Sequence, residues 1–344
     1  MRPVRRPRVI VPTLARGGIG TQTALDHRRR RRGAADAPLS FTDHWNRPDV
    51  RGLLYAVHGR SCAYCGGLLP RNDRGDVDHF RPKGDVHEDP LHGGYWWLAY
   101  VVANFLLSCS LCNCSCKRAR FPLDAGARRI TFAERRRLAQ EARLLLDPAA
   151  DPIDDWVEVG WRDPLCPIRP RPGLGPRKRQ QVRTTIDVFR INRDPRLVGE
   201  RMGVRDAVVK ALGEGRDGDA REWAVRYRSQ SWVAREILDD QRPDLLPTPR
   251  EDQAWLLREL TRELLVALEI LQTPPGDPFV KRATEELLWA LAVLWRDPPA
   301  GDPAEVEAFL VGEQLDGAVR LKARELGSTR ECGSSRPGGA AIMG

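Results

Sequence analysis

No run of uncharged apolar residues in this 344-residue chain approaches the roughly 18 that a membrane-spanning helix requires, which argues against a membrane protein. The arginine-rich start is not followed by the apolar stretch of a secretory signal, so no export is read from it and a cytoplasmic location is expected. No repeat of fixed period is present, which argues against a solenoid or propeller. Lysine is scarce, 6 against 50 arginines. A GC-rich coding bias produces the same imbalance, so the basic total carries little information by itself.

What is present is a globular balance, 41% apolar and 30% charged, in a chain long enough for two modest domains. The net charge of +9 resides entirely in residues 1–33, where ten Arg stand against one Asp. Residues 1–37 are rich in Arg, Pro and Gly without helical or strand periodicity, and read as a disordered basic arm whose run Arg28 to Arg32 could touch phosphates nonspecifically. In the remainder, residues 114–200 are the basic part, with 19 basic against 12 acidic side chains, which would suit a polyanion.

Eight cysteines in a chain of this length suggest metal ligation in a reducing compartment rather than a disulfide framework. Cys62 and Cys65 form one Cys-x2-Cys pair, Cys109 and Cys112 a second. Each short knuckle presents two sulfurs from one tight turn, so the two together can close a tetrahedral structural Zn2+ site. The 43 residues between Cys65 and Cys109 exceed a simple zinc ribbon and imply an insertion. Cys114 and Cys116 leave an ambiguity, since Cys112 and Cys116 lie one helical turn apart and could compete for the metal.

Within the insertion, residues 77–80 read as a strand and 105–108 as another, joined by a loop with Pro90, Gly93, Gly94 and three aromatics. A short helix from Ser110 to about Arg120 completes a ββα order. A helix over Pro48–His58, with Pro48 in its first turn and Gly59 past its end, delivers the chain to Cys62. Thr131 and Glu134 make a capping-box pattern opening a helix to about Leu145, Trp156 to Val159 alternate like a strand, and 164–176 is a proline-rich connection. Beyond it the pattern is helical over 178–191, 196–212, 220–238, 250–271, 278–295 and 303–326, with apolar residues such as Trp255, Leu256, Leu260 and Leu264 at spacings of three and four. The fold class expected is α+β, a ββα unit followed by a mainly α-helical C-terminal region. The division is a disordered arm (1–37), a catalytic domain with flanking elements (38–200), a helical domain for a partner or substrate (201–326) and a disordered tail (327–344).

Cys62-Ala-Tyr-Cys65, Asp78-His79-Phe80-Arg81-Pro82-Lys83, Trp97-Leu98-Ala99-Tyr100, Asn104 to Cys109 and Cys112-Asn113-x3-Lys117 together resemble the HNH endonuclease family with a ββα-metal active site, in its variant with four zinc cysteines. The sequence further resembles the nuclease subunits of Septu-type and retron-associated anti-phage systems, in which an HNH protein accompanies an ATPase. The resemblance covers about residues 40–200. It implies that His79 is the general base, a task suited to an imidazole whose pKa lies near working pH. Asp78 and Asn113 are implied as the ligands of a catalytic Mg2+ or Mn2+. Asn104 is implied as the residue that braces the loop, and Lys83, Lys117 and Arg118 are candidates for gripping phosphate. Asn113 stands where the family name has histidine, and Asp78 where the related subgroup often has Glu. His58 falls at a helix end, and His87 and His92 in the long loop, where His92 is a candidate for substrate contact.

The reading that follows is a metal-dependent HNH endonuclease hydrolysing phosphodiester bonds in DNA, the effector of an anti-phage system with an ATPase partner. The alternatives are a noncatalytic zinc module that binds nucleic acid or protein, and the same chemistry on RNA.

Overall fold

The computed structural model describes residues 11–34, 37–70, 73–225, 228–271, 278–296 and 317–328. The first helix, α1 (Ile19–Gly33), is followed by α2 (Pro48–His58). Strands β1 (Asp76–His79) and β2 (Phe105–Ser108) pair antiparallel in the register Asp76↔Ser108, Val77↔Leu107, Asp78↔Leu106 and His79↔Phe105. A π-helical segment, Leu111–Lys117, follows β2 directly. Then come α3 (Ile153–Trp156), a second two-stranded antiparallel sheet of β3 (Val157–Val159) and β4 (Ile168–Pro170), and α4 (Pro176–Val188). The rest is helical: α5 (Pro195–Gly213), α6 (Asp217–Trp223), α7 (Ser231–Gln241), α8 (Pro249–Leu271), α9 (Pro278–Arg296) and α10 (Gly317–Ser328).

The β1–β2 hairpin divides two hydrophobic cores, and the two-residue period of a strand decides what faces each. Val77, Phe105 and Leu107 join the core built on α2, α8 and α9. Leu106, Phe80 and the cysteine knuckles join the core built on α4, α5 and α7. Both cores draw on residues from either side of position 200, so the helices beyond it pack directly onto the segment that carries the cysteines.

The packing of α2 against α9 is close because Gly52 has no side chain. A Cβ there would meet Trp289 Cβ at 2.3 Å, the Glu286 carbonyl oxygen at 2.6 Å and the Ala290 nitrogen at 2.9 Å. The same face buries an ion cluster: Glu286, fully buried, is paired with Arg51, whose Nε lies 3.2 Å away, and accepts from Arg74 Nε at 3.0 Å. The loop from β1 to β2 depends on another glycine. Gly94 has φ of 72° and passes so near the Gly84 backbone that no Cβ fits.

Four elements differ from what the sequence pattern predicts. The stretch read as a disordered arm is helical over Ile19–Gly33, because its inner face is docked: His27 Nε2 bonds the Ser40 carbonyl oxygen at 3.0 Å and its ring meets Phe41 edge-on. Residues 1–10 lie outside the described residues. Only half of the capping box forms, with Glu134 accepting from Thr131 N and Oγ1 while its own N–H goes to the Thr131 carbonyl, and only a 3-10 turn (Arg135–Gln140) follows. Glu141 is pulled inward there by Arg81 Nε at 2.9 Å and Tyr95 hydroxyl at 2.6 Å, which ends the helix. The helix predicted over 220–238 is divided into α6 and α7, and the proline-rich connection contains β4. Of the helix predicted over 303–326 and the tail beyond it, only 317–328 lies among the described residues.

Gly52→Ala should force α2 and α9 apart and lower unfolding stability by about 1–3 kcal/mol, the usual cost of overpacking. Denaturant midpoints measured on wild type and variant check it, and an unchanged midpoint would show that the two helices separate freely.

Candidate metal centre and the histidine beside it

The sulfurs of Cys62, Cys65, Cys109 and Cys112 lie within 4.8 Å of one another. The Cys65 and Cys109 sulfurs are 3.9 Å apart, close to the ~3.8 Å edge of a tetrahedron drawn with Zn–S bonds of about 2.3 Å. The first knuckle is closed by its own backbone, Gly66 N to Cys62 O at 3.0 Å and Cys62 N to Gly67 O at 2.9 Å. The second opens the π-helical segment, with Asn113 N bonded to Cys109 O at 3.0 Å. Burial works against a thiolate at Cys62, but hydrogen bonds from Cys109, Cys112 and Cys65 overcome it and draw that thiol well below its ordinary range. Cys65 is pushed up first by its hydrogen bond with Cys109, as is Cys112. Four thiols this crowded cannot all lose their protons unaided, and a bound dication would draw them off. The donor set fits structural zinc. Cys116 is buried and Cys114 exposed, both outside the cluster, so neither replaces a ligand.

Gln230 clamps the first knuckle from 165 residues away. Its backbone N–H donates to Gly66 O at 3.1 Å and its side-chain amide to Cys65 O at 3.1 Å. Holding that position puts Gln230 at φ 51°, and this left-handed residue immediately precedes α7. No periodicity in sequence could have announced it.

Strand β1 sends Asp78 and His79 to opposite sides, as adjacent strand residues must go. His79 is buried against Trp45, edge to face at 4.7 Å, and Phe105 at 5.1 Å. Its Nε2 lies 2.9 Å from the Ala99 carbonyl oxygen. A carbonyl only accepts, so the proton is on Nε2 and Nδ1 keeps its lone pair. Burial, with the nearby charge of Lys83, pushes the imidazole down to about 3, so the ring is neutral at ordinary pH. Asn104 braces the turn after β1 in both directions: its Oδ1 accepts from Arg81 N at 2.8 Å and its Nδ2 donates to Arg81 O at 2.9 Å.

Asp78, 3% exposed, is fully engaged on the other side. Its Oδ1 accepts from Lys117 Nζ at 3.0 Å and its Oδ2 from the Tyr64 hydroxyl. Lys117, with no exposed surface, also donates to the His79 carbonyl oxygen at 2.9 Å. Asn113 is directed elsewhere: its Nδ2 donates to Asp76 Oδ2 at 3.1 Å, and the Cys114 thiol approaches the same oxygen. The π-helical segment thus takes Asn113 to Asp76 and Lys117 to Asp78. These residues fit the catalytic Mg2+ or Mn2+ expected between Asp78 and Asn113 poorly, because each carboxylate oxygen already takes a donor from inside the protein and the buried group lacks the solvent that a hydrated hard cation keeps.

Of the other candidates, Lys83 Nζ lies 4.5 Å over the Trp45 ring, on the His79 side. Arg118 is exposed, in a cleft with His87 and Pro90. His92 bonds the Ile130 carbonyl oxygen at 3.1 Å and packs on Tyr95 and Trp97, which gives it a place in the loop's own packing. His58 ends α2 and is buried. Tyr64, stacked on Phe189 at 4.1 Å, is the partner of Asp78 that sequence reasoning gave no role. Its position between the knuckle cysteines was the available signal.

The chain is thus a mixed α/β protein with a small antiparallel sheet beside a four-cysteine metal cluster, followed by a mostly helical region. Among curated proteins it is similar to the Septu protein PtuB of Bacillus mycoides (strain KBAB4), 32% identical over 113 residues, which cover 32% of this chain and 38% of that protein. The match therefore spans less than two thirds of that relative's length. No family model matches the chain. No solved structure matches it. No helix among the described residues is long and apolar enough to cross a membrane.

Cys112→Ser should lose bound zinc and melt at lower temperature, while Cys114→Ser should retain one zinc per chain. Metal analysis and thermal melts of both variants check the assignment. A zinc-free Cys112→Ser protein that melts like wild type would refute a structural role for the metal.

Proposed function

We propose that this chain is a component of an anti-phage defence system that acts on nucleic acid through its zinc-stapled β1–β2 unit. The similarity to a Septu protein and the four-cysteine cluster support the defence-associated, metal-binding part of that reading. Its finer form is an HNH endonuclease that hydrolyses phosphodiester bonds in DNA, working in the cytoplasm with an ATPase partner subunit. The observation that supports the hydrolytic form is geometric, His79 held by the Ala99 carbonyl so that Nδ1 keeps its lone pair, on a strand end braced by Asn104; burial counts against it, since it holds the imidazole far below the pKa near working pH that a general base needs. In that role Nδ1 takes a proton from an attacking water, and Lys83 supplies positive charge beside it.

One observation favours a second reading, a noncatalytic zinc module that binds nucleic acid or a partner. The carboxylate expected to hold the catalytic cation is closed by Lys117 and Tyr64, and Asn113 is turned to Asp76. A binding module has no need of an open Asp78, so the described geometry supports this form more directly than the hydrolytic one.

Supercoiled plasmid incubated with the full chain in Mg2+ or Mn2+ separates the two. The hydrolytic form predicts nicking that EDTA abolishes and that His79→Ala reduces by about a hundredfold or more, the ordinary worth of a general base. Equal nicking by His79→Ala would sink the base assignment. Plasmid retarded in a gel but never nicked selects the noncatalytic form, and a protein that neither binds nor nicks removes nucleic acid from the reading altogether.

A further inference from the structure

The five consecutive arginines, Arg28 to Arg32, are absorbed by nothing described above. They lie on α1, and the way α1 is seated gives them a direction. Thr23, His27 and Arg31, each four residues apart, face inward. The Thr23 hydroxyl meets His44 Nε2 at 3.1 Å, His27 bonds the Ser40 carbonyl oxygen and packs on Tyr100 at 5.8 Å, and the Arg31 guanidinium lies 5.9 Å over the Trp96 ring. With one stripe of the helix committed, Arg28, Arg29, Arg30 and Arg32 are left exposed. Asp26 pairs with Arg29 at 2.9 Å and is the single acid among the first 33 residues. Arginine near a helix C-terminus is favoured by the carbonyl dipole, but that needs one or two cations, and here the dipole is served by Arg30, Arg31 and Arg32 together with two more just before.

The seat of α1 also ties its buried face to His79. Three ring contacts connect them: His27 on Tyr100, Tyr100 on Trp45 at 5.8 Å, and Trp45 on His79 at 4.7 Å. Lys83, over the same Trp45 ring, lies at the far end of that path. A concentration of like charge is costly unless something of opposite sign meets it, and the repeating anion that matches several arginines a residue or two apart is a phosphodiester backbone. We propose that α1 is a docked DNA-backbone clamp, in which Arg28, Arg29 and Arg32, which share the outer face of the helix, hold the phosphates of a duplex. This rests on the nucleic-acid reading above and adds to it the surface that supplies affinity.

The test is binding, so it does not depend on catalysis. Fluorescence anisotropy of a labelled DNA duplex with the full chain is recorded across a salt series. The proteins compared are wild type, the triple variant Arg28→Gln, Arg29→Gln, Arg32→Gln, and the charge-preserving triple variant with Lys at the same three positions. Each phosphate contact contributes about 0.9 to the slope of log affinity against log salt. The Gln variant should lose roughly 2 to 3 from the wild-type slope and bind about tenfold weaker or worse near physiological salt, while the Lys variant keeps the slope. If α1 were merely structural, both variants would shift together through stability with the slope unmoved, and that result overturns the clamp. A Gln variant with wild-type slope and affinity also overturns it, leaving the nucleic-acid reading intact. Wild type that binds no duplex overturns both, and tighter wild-type binding to a matched RNA duplex overturns the assignment to DNA.

Discussion

Four sulfurs from two short knuckles hold together segments that the chain separates by 43 residues, and the rest of the molecule is arranged around that closure. The first knuckle follows α2 and the second follows β2, so a single metal ion would fix the entry and the exit of the β1–β2 hairpin. A four-residue, two-stranded ribbon has little stability of its own. Here one of its faces is covered by α2, α8 and α9 and the other by the knuckles, α4, α5 and α7. The late helices therefore close the site as much as they follow it, and Gln230 makes that direct by hydrogen-bonding the knuckle backbone. Loss of the metal would release both faces together.

The parts legible in the sequence are those whose signal is local. Two Cys-x2-Cys pairs announce the metal cluster because the spacing within each is short. Pro48 and Gly59 bound α2 where their backbone chemistry says they should, and Phe105–Ser108 forms the strand its apolar run predicts. Even the opposed directions of Asp78 and His79 follow from the strand period alone. What stayed hidden depends on partners far along the chain. Composition presents residues 19–33 as an unstructured basic arm, and they are helical because His27 and Thr23 find Ser40, Phe41 and His44. The predicted helix over 220–238 is interrupted by a contact to Gly66, and the capping box at Thr131 fails to propagate because Glu141 is claimed by Arg81 and Tyr95.

The candidate site shows the same division. The residues expected at it, His79, Asn104, Asp78 and Lys117, are close together, and Asn104 bonds the Arg81 backbone in both directions. The pairing among them is what spacing could not supply. The segment after Cys109 winds as a π-helix, with Arg118 N bonded to Asn113 O five residues back at 2.7 Å, and this winding turns Asn113 toward Asp76 and brings Lys117 under Asp78. A motif names residue types at intervals, but which side of a segment each occupies depends on the winding.

The ion pair between Asp78 and Lys117 is therefore the point on which the two functional readings divide. Removing one member of a buried pair leaves an uncompensated charge, at a cost of about 3–5 kcal/mol. A divalent cation that took Asp78 would have to displace the ammonium and offset a penalty of that order, and it would leave Lys117 beside the His79 carbonyl without its counter-ion. The same lysine that closes the carboxylate thus also ties down the strand end that orients the imidazole. Hydrolysis through a cation on Asp78 requires the pair between Asp78 and Lys117 to open. A site used only for binding keeps it. Tyr64 sharpens the contrast, because its hydroxyl proton is held on the other oxygen by burial and by the charge of Asp78, so the carboxylate is closed from both sides by groups inside the protein.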